Sequence, residues 1–248
     1  MIELLTLLAI VGALAALLLT TVVRGRGSAR RIQCANNVRQ LGMALRAFLA
    51  ENHSYPLLIN PPQDNWMTLL QNTELPVSGR STNHITFHQW ARPGVWRCPA
   101  ADKPSDWPTN RGYLSYGYNW YGMSAPTDIK SLGLGGHFTF SNTRLPIPAV
   151  QVSEVASPGE MIAIGDGFVG GKNVIEDGAW MLWRTYGVAD YLGSTKRAYL
   201  RHQGNANVVF CDGHVESPTL KFLFADTNDA ALVRWNRDHL PHREKLSP

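Results

Sequence analysis

No proline occurs before Pro56, and no acidic residue occurs between Leu4 and Ala50. The first absence removes the strongest helix breaker from the opening segment. The second excludes carboxylate chemistry there and leaves six arginines, Arg24, Arg26, Arg30, Arg31, Arg39 and Arg46, without a local counter-charge. Cysteine is scarce. Cys34, Cys98 and Cys211 form no C-x-x-C pair, which disfavours a zinc ribbon or a thioredoxin-like site. No G-x-S-x-G, H-E-x-x-H or phosphate-cradling glycine loop appears, and no spacing of Ser, His and Asp implies catalysis. Internal repeats, low-complexity tracts and DNA-reading motifs are lacking as well. The expectation is therefore a non-enzyme with no catalytic residue, no cofactor, no assigned metal ligand and no nucleic-acid partner.

What the chain does contain is a long apolar start. Residues 2–23 carry one charge, Glu3, and these 22 residues would rise about 33 Å as a helix, enough for the roughly 30 Å hydrocarbon core of a bilayer. A carboxylate at the end of such a span is expensive, which makes Glu3 a candidate functional residue. A cleaved signal peptide fits less well, because the run is too long and its arginines follow rather than precede it. Beyond the span, Cys34, Val38, Leu41, Leu45 and Phe48 recur at helical spacing, with Asn36, Asn37, Arg39, Gln40 and Arg46 on the other side. One helix of about fifty residues follows from this pattern, half of it expected in lipid and half packed on a soluble domain. The arginines beside the span suit lipid headgroups or neighbouring subunits.

The first 56 residues resemble the N-terminus of a type IV pilin-like protein, specifically a type II secretion pseudopilin. The resemblance rests on Glu3, the Leu-rich run, the basic exit at 24–31, the C-x-x-N-x-R-Q-L block at 34–41 and the closing Tyr55-Pro56. His202 followed nine residues later by Asp212-Gly213 is similar to the H-x9-DG pattern of bacterial proteins with a prepilin-type N-terminus. Cys98-Pro99, the Tyr-Gly-Tyr-Asn stretch at 116–119, Ser157-Pro158 and the Trp-Asn-Arg-Asp stretch at 235–238 are similar to that group too. The resemblance implies a subunit held in the bacterial inner membrane by its N-terminal helix, single-pass, with the C-terminal domain extracytoplasmic. Such subunits polymerise into a fibre, with Glu3 setting register against a neighbour's terminal amine. The implied partners are further copies, other pseudopilins, the secretion or pilus machinery and membrane lipid. Two departures stand. The leader is not in the sequence, so either the start is placed downstream or processing is lost. Thr20 also stands where relatives often have proline, leaving Gly25 and Gly27 to loosen the helix. The positive-inside rule would put the basic side in the cytoplasm; the family orientation is preferred.

The expected organisation is a membrane and assembly helix over 1–23, its amphipathic continuation over 24–53, and a globular domain over 54–248. The expected fold is α+β and pilin-like, with the helix packed on a small, mostly antiparallel sheet with long loops. Strands are expected at 94–98, 160–165, 207–211 and 214–217, the last two joined by a type I′ turn at Asp212-Gly213. Short helices are expected at 66–71, capped by Asp64, and at 230–236, capped by Thr227 or Asn228; 104–108 and 124–148 read as loops. Two cysteine arrangements are open: a Cys34–Cys98 disulfide with Cys211 buried, or three buried thiols. His202, Asp212 and His214 would form a metal site if they gathered at the hairpin, but the turn alone accounts for Asp212. Asp166-Gly167 and Asp177-Gly178 read as turns. The resemblance brings in calcium, which some major pseudopilins bind in a C-terminal loop, and Asp226, Asn228 and Asp229 offer oxygens without the full calcium-loop frame. The eight tryptophans read as packing rather than a glycan-binding face. A monomeric membrane-anchored surface binder is the alternative function.

Overall fold

The computed structural model describes residues 2–57, 59–60, 64–71, 94–100, 116–124, 128–138, 147–166, 181–182 and 202–246. With no proline to break it, the chain opens as one helix, α1 (Ile2–Asn52), continuous through Gly25 and Gly27. It ends where His53 takes a left-handed conformation (φ 55°) and donates its N–H to Leu49 O at 2.9 Å. Among the described residues no helix is long and apolar enough to cross a membrane.

The second half of α1 is the inner wall of the domain. Cys34, Val38, Leu41 and Leu45 are fully buried and Phe48 partly so, as their spacing requires. Burying each leucine contributes about 2 kcal/mol relative to exposure. Asn37 corrects the sequence reading: it faces inward, donating its amide to Arg97 O at 3.0 Å and Gly94 O at 3.4 Å. Gly42 faces the sheet, where an added Cβ would lie 2.5 Å from Val209 Cγ2. The missing side chain is what lets the helix approach this closely.

A two-stranded ribbon, β1 (Ile59–Asn60) with β2 (Asp64–Asn65), leads into α2 (Trp66–Gln71), whose Trp66 stacks on Tyr118. The cap expected from Asp64 falls on a side chain outside those described. The main sheet contains β3 (Tyr116–Asn119), β4 (Ile162–Asp166), β5 (Met181–Leu182), β6 (Val208–Phe210) and β7 (Val215–Glu216). Its order is β5-β3-β4-β6-β7, antiparallel except where β5 runs parallel to β3. The α+β class and the mostly antiparallel sheet agree with the sequence reading. Residues 94–98 do not form the expected strand; they are bends and turns beside α1. The loop at 104–108 and the Asp177-Gly178 turn lie outside the described residues.

Side chains alternate across β6. Val209 joins the core under α1, while Val208 and Phe210 join a second core with Ile162, Leu220, Leu232 and Trp235. That second core is closed by α3 (Leu220–Phe224), capped by Thr219, and α4 (Asp229–Leu232), capped by Asn228, whose oxygen accepts from Ala231 N–H at 2.9 Å. A 3-10 turn, Val233–Trp235, completes the segment expected as one helix. Helix, sheet and C-terminal helices thus make three layers. The described tryptophans, Trp66, Trp96, Trp120 and Trp235, are all buried, in keeping with packing.

The turn between β6 and β7 differs from expectation. Gly213 N–H donates to Phe210 O at 2.9 Å and Phe210 N–H to His214 O at 3.0 Å, with Gly213 alone at positive φ (94°) among residues 211–214. This is a three-residue loop, a type I turn followed by a left-handed glycine, rather than a two-residue type I′ turn. Arg46 reaches from α1 to donate to Asp212 O across this loop.

Candidate functional site

Four separated segments bring Cys34, Cys98, Asp166 and His202 together beneath α1. Cys34 stands on the inward stripe of the helix. Cys98 lies in the turn that Asn37 ties to α1. Asp166 is the last residue of β4, locked to the next segment by its own N–H to Asn207 O at 2.9 Å and by Asn207 N–H to its Oδ2 at 2.8 Å. His202 precedes a sharp reversal at Gln203 and Gly204, both at positive φ.

Cys34 Sγ lies 3.4 Å from Asp166 Oδ1, Asp166 Oδ2 lies 3.2 Å from His202 Nε2, and Cys98 Sγ lies 3.3 Å from that same nitrogen. All four donor atoms fall within 4.8 Å of one another, and all four residues are buried. The Tyr116 hydroxyl lies 3.3 Å from Cys34 Sγ. His202 Nδ1 points away and finds no partner among the described residues, so Nε2 is the nitrogen offered to the cluster. Burial alone would lower the His202 pKa. Hydrogen bonds to Asp166 and Cys98, with their charges, outweigh it and push it up to about 9. Hydrogen bonding with Cys98, then burial and the Asp166 charge, hold Cys34 far above the usual thiol range. Burial lifts the Tyr116 phenol well above its ordinary value, and burial pushes the Cys211 thiol to about 12.

All three cysteines are reduced, the second of the two arrangements the sequence left open, although Cys34 and Cys98 are indeed neighbours. His202 does not gather with Asp212 and His214. The H-x9-DG motif divides: His202 enters the buried cluster, while Asp212-Gly213 forms the hairpin loop. There Asp212 Oδ1 lies 2.6 Å from His214 Nδ1 and accepts His214 N–H at 3.0 Å. Asp166, read from sequence as a turn residue, is the member that was missed. A carboxylate closing an otherwise apolar strand was the available signal. No family model, characterised protein or solved structure matches this chain.

Glu3 stands at the other extreme of the molecule, exposed, with its backbone oxygen accepting from the Thr6 hydroxyl at 2.9 Å. Between Leu4 and Leu19, ten large apolar side chains are 55–69% exposed. They occur on every side of α1 except the small-residue face of Thr6, Ala9, Ala13 and Ala16. The oxygens considered for calcium are engaged elsewhere. Asn228 caps α4, Asp229 pairs with Arg243 at 2.8 Å, and Asp226 lies 3.7 Å from Lys221.

Proposed function

We propose that this chain is a pseudopilin-like structural subunit that assembles through the first half of α1. The observation that carries the reading is the bare apolar length of helix between Leu4 and Leu19, headed by Glu3 and projecting from a folded domain. An apolar surface of this size exceeds what a soluble monomer leaves in water, so it calls for a covering partner. Bilayer lipid covers it before assembly and neighbouring helices cover it afterwards. The apolar sequence continues to Val23, and 22 residues rise about 33 Å. The small-residue face lets neighbouring backbones approach. Glu3 then acts through cost: unpaired in hydrocarbon it is expensive, and paired with a neighbour's terminal amine it is much less so. Register between subunits follows from that difference. The repeated contact is heterologous and does not close, as a fibre requires. The inner membrane, the secretion machinery and other pseudopilins belong to this same reading.

The alternative is a monomeric surface binder that uses α1 only as an anchor. Chemical cross-linking in native membranes separates the two. The wild type is expected to cross-link to itself, and Glu3→Leu to stay in the membrane fraction without doing so. Self-association absent from both forms would leave the anchored binder.

A further inference from the structure

We propose that Cys34, Cys98, Asp166 and His202 bind a single zinc ion that clamps α1 to the sheet. This goes beyond the assembly reading and stands without it, because the cluster lies wholly within the folded domain. Two thiols, an imidazole and a carboxylate are the donor types that zinc takes. Three of the six separations lie at the short end of what a zinc tetrahedron needs, and all six lie within 4.8 Å. Zinc holds sulfur at about 2.3 Å and nitrogen or oxygen at about 2.0–2.2 Å, so adjacent ligand atoms of a tetrahedron lie about 3.3–3.8 Å apart. Asp166 to His202 is 3.2 Å, Cys98 to His202 is 3.3 Å and Cys34 to Asp166 is 3.4 Å.

The surroundings hold the ligands in place. Asn207 N–H fixes Asp166 Oδ2, and the Tyr116 hydroxyl is positioned to donate to Cys34 Sγ. Without a metal, this region confines an aspartate, a histidine and two thiols with no water-facing side, an arrangement costly to desolvate. A dication reverses the local preference of the thiols, since coordination deprotonates them. Two thiolates, one carboxylate and one dication sum to a single negative charge. Four protein donors would fill a zinc tetrahedron, and all four residues are buried. The site is therefore structural, joining the helix, the 94–100 turn, the end of β4 and the segment before β6 at one point.

The test uses the full chain, purified in detergent under reducing conditions. Plasma emission should find one zinc per chain, and cobalt should replace it with a thiolate-to-cobalt charge-transfer band and intense visible bands of a tetrahedral site. Cys98→Ser should abolish the charge-transfer intensity from that sulfur. Tyr116→Phe should retain the spectrum while weakening metal affinity by roughly 10- to 100-fold. Because Cys98→Ser risks misfolding, the deciding measurement is the titration of reduced wild-type protein. No tetrahedral cobalt spectrum, with melting unchanged by a chelator, would overturn the proposal. So would peptide mapping of protein from native membranes that finds Cys34 and Cys98 joined as a disulfide.

Discussion

His202 Nε2 lies 3.2 Å from Asp166 Oδ2, and neither side chain is exposed at all. In such a place desolvation offsets much of the attraction, so the pair adds less stability than its distance suggests. Losing one partner is another matter, because the survivor stays buried without compensation. In the metal-free protein, His202→Ala should cost about 3–5 kcal/mol in urea denaturation. The double variant His202→Phe with Asp166→Leu should recover much of that loss, although Asn207 N–H loses an acceptor. A double variant as unstable as the single one would show that the ion pair is not the source.

Gly42 sets the distance between α1 and β6. An alanine there would place its Cβ 2.5 Å from Val209 Cγ2, so something must shift. Alanine gains about 1 kcal/mol in helix propensity over glycine, while overpacking costs about 1–3 kcal/mol. The net expectation for Gly42→Ala is a loss of up to about 2 kcal/mol. Adding Val209→Ala removes the colliding methyl. The double-mutant cycle should therefore show favourable coupling of at least about 0.5 kcal/mol, and strict additivity would contradict the close approach.

Asn119 joins three segments by one amide. Its nitrogen donates to Ile162 O at 2.8 Å and Trp235 O at 3.0 Å, and its oxygen accepts Gly122 N–H at 3.1 Å. Asn119→Ala orphans buried groups on all three and should cost about 2–4 kcal/mol. Asn119→Asp should do no better, since a carboxylate cannot donate to the two carbonyls. Chemical denaturation of both variants checks this.

Local signals carried far into the fold. The period of Cys34, Val38, Leu41 and Leu45 located the buried face of α1, and the strand candidates flanking Asp212-Gly213 located β6 and β7. Asn228 made the start of α4 legible, whereas α3, capped by Thr219, was not expected. What escaped was set by long-range contacts. Asn37 is buried because the carbonyls of Gly94 and Arg97 arrive from elsewhere. The type I′ expectation gave way to a three-residue loop, which Arg46, more than 160 residues distant, contacts at Asp212 O. Cys34 and Cys98 were legible as neighbours, whereas Asp166 and His202 joined them through the pairing of β4 with β6. Periodicity reports which face a residue occupies, not which residues meet across it.

Asp212 provides the pH dependence of the hairpin loop. Partial burial raises its pKa, but the backbone N–H and imidazole of His214, with the positive charges of His214 and Arg46, outweigh this and hold it below the usual carboxylate value. A depressed folded-state pKa means that the ionised form is favoured on folding. The resulting stability is fully present above the unfolded-state pKa of about 3.9 and is lost as pH falls through the lower folded value. The carboxylate is 42% exposed, so solvent screening keeps the contribution under about 1 kcal/mol. Asp212→Asn keeps an acceptor for His214 N–H but removes the charge. Urea midpoints should thus place the variant below wild type at neutral pH and bring the two together as pH drops below 4. A gap that stayed constant with pH would assign the effect to loop geometry rather than to charge.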